Sequence, residues 1–546
     1  MFGSVITFLH SYPFLWPAAL CLILLPVLLV VARSHSLSTR LEKAASPLIR
    51  IWGIGGIGIL VFCSLAYLCS PALFDFFECA GISVAYTVAH GGGAFPDTAS
   101  PERYCLPYGP MLYIVLGLSQ LALGASTFSS KLPCCMAAIF SAVLFWRILR
   151  RQGLPVTAAC AIAGLNATIV LSFRHVVYWT KSDSLICLTV MVSVWAALRR
   201  GWLGPRVLGA CIGIGVGLKL SAGAYFIPVL VIALCNGWGW RDFAICGTAC
   251  LAFAILPFVL LPARFPWMNY LAFFRTVSRE GLDLNPTIAF LRWLTMLAGL
   301  VVVSDRFIRP SSIPQSRLPR WAYRGALAAG LALVAVPACA VGSGPHHLMP
   351  FVPLVLLAFG DLFTRDENRA WQYSGSPLWR TAVCAIFSAC FLIALQTASQ
   401  IIRMRAKLDP RTRDCQADLR AVLASHSQAM ILMGTSGNQT DLAAYSRHLI
   451  VFAGHPIGLD AAVVSDYQFG GIAPPDLPTF LRELRTPNSQ PILWLFPRGG
   501  TPFEGTNWYA PNLPIYPEKF RRDFAERFKL RESTPFFDIY SAAHEG

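Results

Sequence analysis

Apolar runs long enough to cross a lipid bilayer recur along most of this chain. A helix needs ~20 residues to span the hydrocarbon core, and such runs recur from Phe14 to about Ser399. Of the 546 residues, 55% are hydrophobic and 13% are charged. The runs are continuously apolar rather than alternating, which favours helical spans over a barrel. We therefore predict a polytopic α-helical membrane protein, and we interpret its net charge of +16 as cytoplasmic anchoring rather than nucleic-acid binding.

About thirteen spans are predicted from the ~20-residue length criterion. The first lacks a basic leader and its charges follow the apolar run, so we interpret it as a span rather than a signal peptide. The predicted spans are residues 14–32, 51–69, 109–125, 132–149, 155–173, 183–198, 204–219, 221–236, 242–262, 287–304, 322–342, 348–364 and 379–399.

The composition changes after about Arg403. Apolar runs there shorten to those at 429–434 and 491–496, and amphipathic stretches at 415–424 and 477–484 alternate with them. A further helix at 517–528 and a last strand at 536–540 complete the pattern of a small α/β domain. We predict a transmembrane domain over residues 1–404, with a first external loop at 70–110, and a soluble α/β domain over residues 405–546.

The distribution of Lys and Arg sets the expected orientation, because short cytoplasmic loops carry an excess of both. Four basic loops lie on one side of the predicted spans, so the first external loop and the C-terminal domain lie on the other side. We expect a multi-pass protein of the bacterial inner membrane whose site faces the periplasm. The basic loops contain Arg33, Arg40, Lys43 and Arg50; Arg147, Arg150 and Arg151; Arg199, Arg200 and Arg206; and Arg306, Arg309, Arg317, Arg320 and Arg324.

The first external loop collects acid in a basic chain. It contains Asp75, Glu78, Asp97 and Glu102 against one cation, Arg103. Asp75 and Glu78 are three residues apart, which on a helix places them on one face, where one carboxylate raises the pKa of the other. Such a group could deprotonate a hydroxyl. The alternative for each is a solvated loop acid, and for Asp97 and Glu102 a metal or substrate contact is the further alternative.

Other polar residues stand at predicted membrane boundaries, where they are costly and therefore functional by default. Asp183 could instead be a helix N-cap, and Lys181 could pair with it or with a lipid phosphate. Lys219 could be a snorkelling lysine or a contact for a phosphate leaving group. His346 and His347 are adjacent and point apart on a helix, so we expect a hydrogen bond to sugar or phosphate rather than chelation.

Several tempting patterns are discounted. The Gly53–Gly58 stretch fits a dinucleotide-binding pattern, and Gly213–Gly217 is a second glycine cluster, but both lie inside apolar spans. We therefore predict close helix packing at both. Most of the 17 cysteines lie in apolar runs and act as small hydrophobes. Cys79 and Cys105 both lie in the first external loop, and a disulfide between them is left open.

The order of these features resembles the GT-C superfamily of polyprenyl-phosphate-dependent glycosyltransferases, in the group around glycosyltransferase family 39 that includes protein O-mannosyltransferases and lipid A aminoarabinose transferases. The resemblance covers roughly residues 50–400. It rests on Phe77-Glu78, Gly91-Gly-Gly-Ala-Phe-Pro-Asp97, Tyr108-Gly-Pro-Met-Leu-Tyr113, Lys131, Lys181-Ser-Asp-Ser-Leu185, Lys219 and the histidine turn at Gly344–Pro350.

The resemblance implies an inverting transfer of a sugar from a polyprenyl-phosphate donor to a glycan, lipid or protein acceptor on the non-cytoplasmic face. It implies Glu78 as the catalytic acid of the first loop, with Asp75 as the alternative, because adjacent acids are usual in the family and these are separated. It places Lys181 and Asp183 in a second external region, with Lys219 or His346 neutralising the lipid phosphate.

The remaining expected contacts are Asp97 and Tyr108, and His347 beside His346, as substrate-binding residues. Lys131 and Lys181 stand where the family often has Arg, which loses bidentate phosphate geometry. A divalent cation remains open, and no other cofactor is expected. A transporter or lipid-linked sugar flippase is the main alternative. It predicts internal repeats around a midplane site, and we find no convincing repeat. A scaffold for an envelope assembly is the third alternative.

Overall fold

The computed structural model describes residues 35–279, 281–307, 320–360, 377–436, 442–484, 490–507, 509–510 and 512–543. The predicted span at 14–32 and the basic residues Arg33, Arg309 and Arg317 lie outside the described residues.

The N-terminal three quarters of the described chain is helical. Short 3₁₀ turns at Arg174–Val177, Leu220–Phe226 and Pro345–Leu348 interrupt it. The helices are α1 (His35–Leu68), α2 (Phe76–Ala89), α3 (Pro110–Leu123), α4 (Thr127–Arg151), α5 (Val156–Leu171), α6 (Ser182–Ala197), α7 (Leu203–Leu218), α8 (Ile227–Cys235), α9 (Trp240–Leu260), α10 (Trp267–Val277), α11 (Leu284–Phe307), α12 (Arg320–Cys339), α13 (Phe351–Gly360) and α14 (Pro377–Ser425).

These helices are those of an integral membrane protein. Five segments are long and apolar enough to cross a membrane, and seven shorter apolar helices accompany them among the described residues. A helix covers most of every predicted span from residue 51 onwards, but the count of about thirteen crossings stays a prediction. The five long segments are Arg50–Leu68, Thr127–Arg151, Trp240–Leu260, Trp321–Cys339 and Phe387–Ser425.

Glycines bring neighbouring helices into direct contact, as the sequence predicts. A Cβ added at Gly53 of α1 would lie 2.6 Å from the carbonyl oxygen of Cys160 in α5. A Cβ added at Gly213 of α7 would likewise overlap the backbone of Cys250 in α9. Because only a residue without a side chain permits this approach, both glycine clusters serve helix packing.

The first external loop is partly helical, which corrects its interpretation as a polar loop. Helix α2 occupies 14 residues of it. Asp75 is the N-cap: its side chain accepts from the Phe77 amide at 2.7 Å, and the Glu78 side chain accepts from the Asp75 amide at 3.0 Å. This reciprocal capping box starts the helix. The Asp75 carboxylate therefore caps the helix amides and the Glu78 carboxylate binds back to the Asp75 amide, so neither is free on a loop.

The C-terminal segment folds around a small mixed sheet. The strands are β1 (Met430–Met433), β2 (Ile492–Pro497), β3 (Phe528–Ser533) and β4 (Phe537–Ala542), in the order β1-β2-β4-β3. The pair β1–β2 is parallel and the other two pairs are antiparallel. The helices beside it are α15 (Arg447–Phe452), α16 (Ala461–Phe469), α17 (Leu477–Glu483) and α18 (Glu518–Arg527), preceded by a 3₁₀ turn at Ala444–Ser446.

Aromatic side chains fill the core on one face of this sheet. Trp494 and Phe496 of β2 are fully buried and pack edge-to-face against Phe503 and Phe524, respectively. The predicted strands at 429–434, 491–496 and 536–540 and the predicted helices at 477–484 and 517–528 are all present. Strand β3 and helices α15 and α16 have no counterpart in the sequence prediction.

Helix α14 joins the membrane region to the sheet without a break. It runs for 49 residues, so the predicted boundary between residues 404 and 405 falls inside a continuous helix. Ser70 donates to Asp409 at 2.5 Å, and Gln416 donates to the carbonyl of Pro71 at 3.3 Å. These two bonds fasten α14 to the start of the first external loop.

The first external loop also pairs directly with the C-terminal segment. The Arg103 amide donates to the carbonyl of Gly458 at 3.2 Å, and the Asp460 amide donates to the carbonyl of Arg103 at 2.7 Å. The Arg103 side chain is buried and lies over the Tyr467 ring, with 4.8 Å between its guanidinium carbon and the ring centroid. The loop and the sheet segment therefore form one surface.

Candidate functional site

Glu78 is buried and accepts hydrogen bonds on both of its oxygens. Oε2 accepts from the amides of Phe74 at 2.7 Å and Asp75 at 3.0 Å. Oε1 accepts from the Tyr67 hydroxyl and from the Thr180 amide at 3.0 Å. The side chain has no exposed surface. A carboxylate with four donors has no acceptor site left for a substrate proton, so this geometry makes Glu78 a centre that holds α1, α2 and the segment before α6 together.

Lys131 of α4 also binds the segment that joins α1 to α2. It is fully buried, and its ammonium donates to the carbonyls of Tyr67 at 3.2 Å, Ser70 at 2.9 Å and Ala72 at 2.6 Å. The ammonium also lies 4.1 Å from the centroid of the Tyr67 ring. The Tyr67 carbonyl lies in the last turn of α1, where helical carbonyls lack internal partners, and Ser70 and Ala72 follow the helix. Lys131 therefore closes the turn into the first external loop, and its donors are used.

Asp75 differs from Glu78 in exposure and in its partner. Its side chain is 24% exposed, and its Oδ2 lies 3.4 Å from the ammonium of Lys181, which is 7% exposed. That ammonium also lies 3.5 Å from the centroid of the Trp179 ring and 4.8 Å from that of Phe77. Oδ1 of Asp75 is used in helix capping, and Oδ2 forms the pair with Lys181 in a side chain that is partly exposed.

A second cation stands where α7 gives way to a 3₁₀ turn. Lys219 has an extended backbone there and donates to Nε2 of His347 at 3.1 Å. Ser343 lies 2.8 Å from the same nitrogen. Because Nε2 accepts from the ammonium, the ring proton of neutral His347 sits on Nδ1. That Nδ1 is buried and has no hydrogen-bond partner among the described residues.

The charges on these separate segments act on one another. His346 interacts electrostatically with Asp183, Lys219, Lys181 and Asp75. Asp183 is buried, and among the described residues no hydrogen bond engages its carboxylate. It is not the N-cap of α6, because Lys181 occupies that position. Tyr108 is also buried and interacts with Asp183 and Asp75. We name this group the polar cluster: Asp75, Tyr108, Lys181, Asp183, Lys219, His346 and His347.

A close backbone contact at Gly109 positions the neighbouring Tyr108 next to the rest of the polar cluster. Gly109, the N-cap of α3, donates its amide to the carbonyl of Leu218 at 3.0 Å. A Cβ at Gly109 would overlap the carbonyl of Gly217. The start of α3 therefore touches the end of α7 directly, which places Tyr108 beside the segment that carries Lys219.

Asp97 does not join the polar cluster. It is exposed, and its side chain accepts from the Ala99 amide at 2.9 Å, while its carbonyl accepts from the Ser100 amide at 2.9 Å. This is the local bonding of an Asx turn, and we interpret Asp97 as a loop residue. Glu102 is also outside the cluster, on the side of the loop that faces the C-terminal sheet.

The C-terminal segment reaches the histidine turn through Tyr509. Its hydroxyl donates to Oδ1 of Asp466 at 2.9 Å. A Cβ at Gly342 would lie 2.5 Å from the Tyr509 ring, and Gly342 has a φ of +71°. The ring therefore packs against the backbone that leads to Ser343 and His347.

Two cysteines and three hydrogen-bonding residues lie around the site. Cys79 and Cys105 are both buried and free, so no disulfide joins them. Tyr67, Thr180 and Ser343 bind cluster or framework residues and were not singled out by sequence reasoning. Tyr67 and Thr180 sit next to predicted span ends, which is the one signal that could have drawn attention to them. Within the described residues there is no group of three or more His, Cys, Asp or Glu suited to a metal ion.

Comparison with known proteins places this architecture. No protein-family model matches the sequence, and no curated protein sequence matches it. Among solved structures, ArnT from Cupriavidus metallidurans bound to undecaprenyl phosphate aligns with a TM-score of 0.56 at 12% identity, covering 89% of this chain and 97% of that one. The chain has the GT-C fold. The apo structure of the same ArnT aligns with a TM-score of 0.53 at 13% identity, covering 88% and 96%.

The GT-C fold agrees with the resemblance seen in the sequence. The similarity extends over most of both chains. At this level of identity it describes the fold, and the chemistry has to be argued from the site. In that site, a partly exposed carboxylate paired with a lysine stands within electrostatic range of a second lysine and two histidines. Such a set can remove a proton from one group while holding an anion nearby.

Proposed function

We propose that this protein is an integral membrane glycosyltransferase that moves a sugar from a polyprenyl-phosphate donor to a glycan, lipid or protein acceptor on the non-cytoplasmic face. One observation carries the proposal: the Asp75 carboxylate is partly exposed and paired with Lys181, and both act electrostatically on His346. The GT-C fold, which this chain shares with an ArnT bound to undecaprenyl phosphate, supports the choice of donor.

Asp75 is the general base in this proposal, ahead of Glu78. The sequence favours Glu78, but four hydrogen bonds and complete burial leave that carboxylate no room to accept a substrate proton. The Asp75 side chain is partly exposed and keeps one oxygen 3.4 Å from the Lys181 ammonium. Glu78 is then a positioning residue, since its bond to the Asp75 amide fixes the start of α2.

The reaction is a direct displacement at the anomeric carbon. The acceptor hydroxyl gives its proton to Asp75 as its oxygen bonds to the anomeric carbon, and the bond from that carbon to the phosphate oxygen breaks. The electron pair leaves with the lipid phosphate. A single displacement inverts the configuration of the sugar.

The cations of the polar cluster stabilise the phosphate that leaves. Lys219 is a positive charge at the C-terminal end of α7, and His347 presents a buried N–H without a partner among the described residues. Lys181 and His346 lie within the same field. Preorganised donors of this kind act where charge develops. The negative charge of Asp183 offsets the repulsion between Lys181 and Lys219, and Tyr108 serves as a substrate contact in this proposal.

The membrane setting suits the donor. A polyprenyl chain buries many methylenes at ~0.8 kcal/mol each, so the donor stays in the bilayer and the enzyme must meet it there. Apolar side chains exposed on α1 and α9, such as Ile51, Ile54 and Leu251, provide the lipid-facing surface that such an enzyme needs.

The test compares two acid-to-amide changes in the first external loop. Asn is as good an N-cap as Asp, so Asp75→Asn should leave the fold intact and lower sugar transfer by at least ~100-fold, the lower range of general-base effects. Asp97→Asn keeps the Asx turn and is the matched control. Sugar transfer is measured by mass spectrometry of the glycans made by a deletion strain that carries each variant. Binding of undecaprenyl phosphate is measured separately with each purified protein.

The outcomes separate the donor site from the base. Loss of transfer with retained undecaprenyl phosphate binding supports the proposal. Full transfer by Asp75→Asn would remove Asp75 as the base. A deletion strain whose glycans and lipid-linked sugars match the parent strain would reject the transferase function itself.

A further inference from the structure

A cleft of about 840 Å³ lies between the first external loop and the C-terminal segment. We name it the interdomain cleft. Its loop wall carries Tyr86, His90, Glu102 and Tyr104, and its opposite wall carries His455 and Glu483. The backbone pairing of Arg103 with Gly458 and Asp460 runs beside it. None of the polar cluster lines it.

The interdomain cleft is separated from Asp75 by the length of α2. Asp75 is the N-cap of this helix and His90 is the C-cap. Helix α2 has 14 residues, and at 1.5 Å per residue its ends are ~21 Å apart. A monosaccharide at Asp75 cannot reach His90, so a ligand in the cleft is either independent of the donor or extends over several units.

The two histidines of the cleft offer opposite hydrogen-bonding groups. Nδ1 of His455 accepts from the Ile431 amide at 3.3 Å, so its proton is on Nε2. Burial lowers the pKa of His455, which keeps the ring neutral. Nδ1 of His90 lies 2.9 Å from the carbonyl of Tyr86 and must donate to it, so Nε2 of the neutral ring accepts. One histidine is therefore a donor and the other an acceptor.

Two carboxylates, those of Glu102 and Glu483, add hydrogen-bond acceptors to the cleft. Neither Glu102 nor Glu483 forms an ion pair among the described residues. Both line the cleft, and burial, and then the charge of Glu483, raise the pKa of Glu102. The guanidinium of Arg103, beside Glu102 in sequence, donates to the carbonyls of Thr98 and Ser100, and that of Arg482, beside Glu483, lies 3.4 Å from the Thr479 hydroxyl. The carboxylates are left to accept from a ligand.

Aromatic rings supply flat apolar faces to the same space. The Tyr86 ring lies over the His90 ring with 3.9 Å between centroids and 30° between planes. Tyr104 is held by its hydroxyl, which donates to the carbonyl of Gly93 at 3.1 Å. Phe480 forms part of the opposite wall. A few fixed polar groups among aromatic faces are the usual lining of a small-molecule site.

We propose that the interdomain cleft binds a segment of a neutral, hydroxyl-rich oligosaccharide. Hydroxyls can donate to Glu102 and Glu483, accept from His455 and donate to His90, and the C–H faces of the sugar rings can lie on Tyr86. An anionic ligand is disfavoured by the two carboxylates. The segment is part of the acceptor, which rests on the proposed transferase function; binding of oligosaccharide itself does not.

The experiment measures sugar binding and transfer separately. The full chain in lipid nanodiscs is mixed with oligosaccharides released from the host envelope by mild acid hydrolysis, and saturation transfer to sugar protons is recorded. A double variant, Glu102→Gln with Glu483→Lys, removes one acceptor and places a cation in the cleft. Glu526→Gln, an exposed acid on α18, is the matched control.

We expect saturation transfer with the wild-type chain and with Glu526→Gln, and at least a fivefold loss with the double variant. Undecaprenyl phosphate binding should be unchanged in all three, and product glycan should fall only in the double variant. Absence of saturation transfer to the wild-type chain, or equal transfer to the double variant, overturns the proposal. Saturation transfer that responds as expected while no strain makes product would retain the sugar site and reject the transferase function.

Discussion

The assignment of roles at the start of α2 predicts that Glu78→Gln and Asp75→Asn fail for different reasons. Both replace a carboxylate by its amide, so size and shape are kept. Glu78 accepts four hydrogen bonds in a buried position, whereas Asp75 accepts one capping bond and is partly exposed. We expect Glu78→Gln to destabilise the fold and Asp75→Asn to leave stability almost unchanged.

The magnitude follows from counting acceptors. A Gln at 78 can keep one oxygen on the amides of Phe74 and Asp75, but its NH₂ group cannot accept from the Thr180 amide. An unpaired buried N–H costs ~1–3 kcal/mol, and loss of charge assistance costs about 1 kcal/mol for each remaining bond. Removal of a buried charge offsets part of this. We expect Glu78→Gln to lower the free energy of unfolding by about 3 kcal/mol, whereas an Asp-to-Asn change at an N-cap lowers it by ~0.5 kcal/mol or less.

Thermal unfolding followed by tryptophan fluorescence in nanodiscs measures the difference, with transfer assayed on the same preparations. Glu78→Gln should unfold at a clearly lower temperature than Asp75→Asn, and at low temperature it should retain part of its activity. The reasoning is refuted if Glu78→Gln has the same unfolding temperature as the wild-type protein and yet makes no product. That result would return the role of base to Glu78.

Two further predictions concern packing and pH. Gly53→Ala should lower the yield of folded protein, because the new Cβ overlaps Cys160, whereas Gly58→Ala in the same helix meets nothing within 4 Å and should be tolerated; both yields are measured by detergent size-exclusion chromatography. Burial raises the pKa of Asp466 from 3.8 to about 7, against the bond from Tyr509 and assisted by Asp460. The folded state therefore holds this proton more tightly, and stability is lost as pH rises from about 4 through 7, by on the order of 1.4 kcal/mol per unit. Asp466→Asn keeps a partner for Tyr509 and should flatten the pH dependence of the unfolding temperature between pH 5 and 8; an unchanged slope contradicts the assignment.

Hydrophobic length predicted the helices well, because an apolar run of membrane-spanning length has few alternatives to a helix. The same argument missed the shape of the first external loop. Helix α2 is apolar but shorter than a span, and its start depends on the Asp75 and Glu78 capping box. The spacing of these two acids was noticed for its charge, although the same spacing is also a helix-start pattern.

In the C-terminal segment, short apolar runs predicted β1, β2 and β4, because buried strands carry continuous apolar residues. Strand β3 reads Phe-Lys-Leu-Arg-Glu-Ser and is exposed after its first residue. It is an edge strand, and a charged edge has no hydrophobic signal to detect.

The polar cluster could be predicted as a set but not as an arrangement. Its members lie at the starts of α2, α3 and α6, at the break after α7 and in the turn before α13. Position at a predicted membrane boundary picked out most of them, and the family resemblance picked out Tyr108. Which acid is accessible depends on Tyr67 and Thr180, whose bonds to Glu78 join segments far apart in sequence. Asp97 lies outside the cluster in an Asx turn, a structure that uses the same residue type as a substrate contact, so sequence alone could not separate the two alternatives.

The backbone pairing of Arg103 with Gly458 and Asp460 has a consequence for biogenesis. During synthesis the first external loop leaves the ribosome long before residues 458–460, which pair with Arg103, are translated. Until then the amide and carbonyl of Arg103 have only water to bind. The loop can therefore acquire its final form only after nearly the whole chain has been made, so a prematurely terminated chain would insert into the membrane yet present an unfinished loop to quality-control proteases.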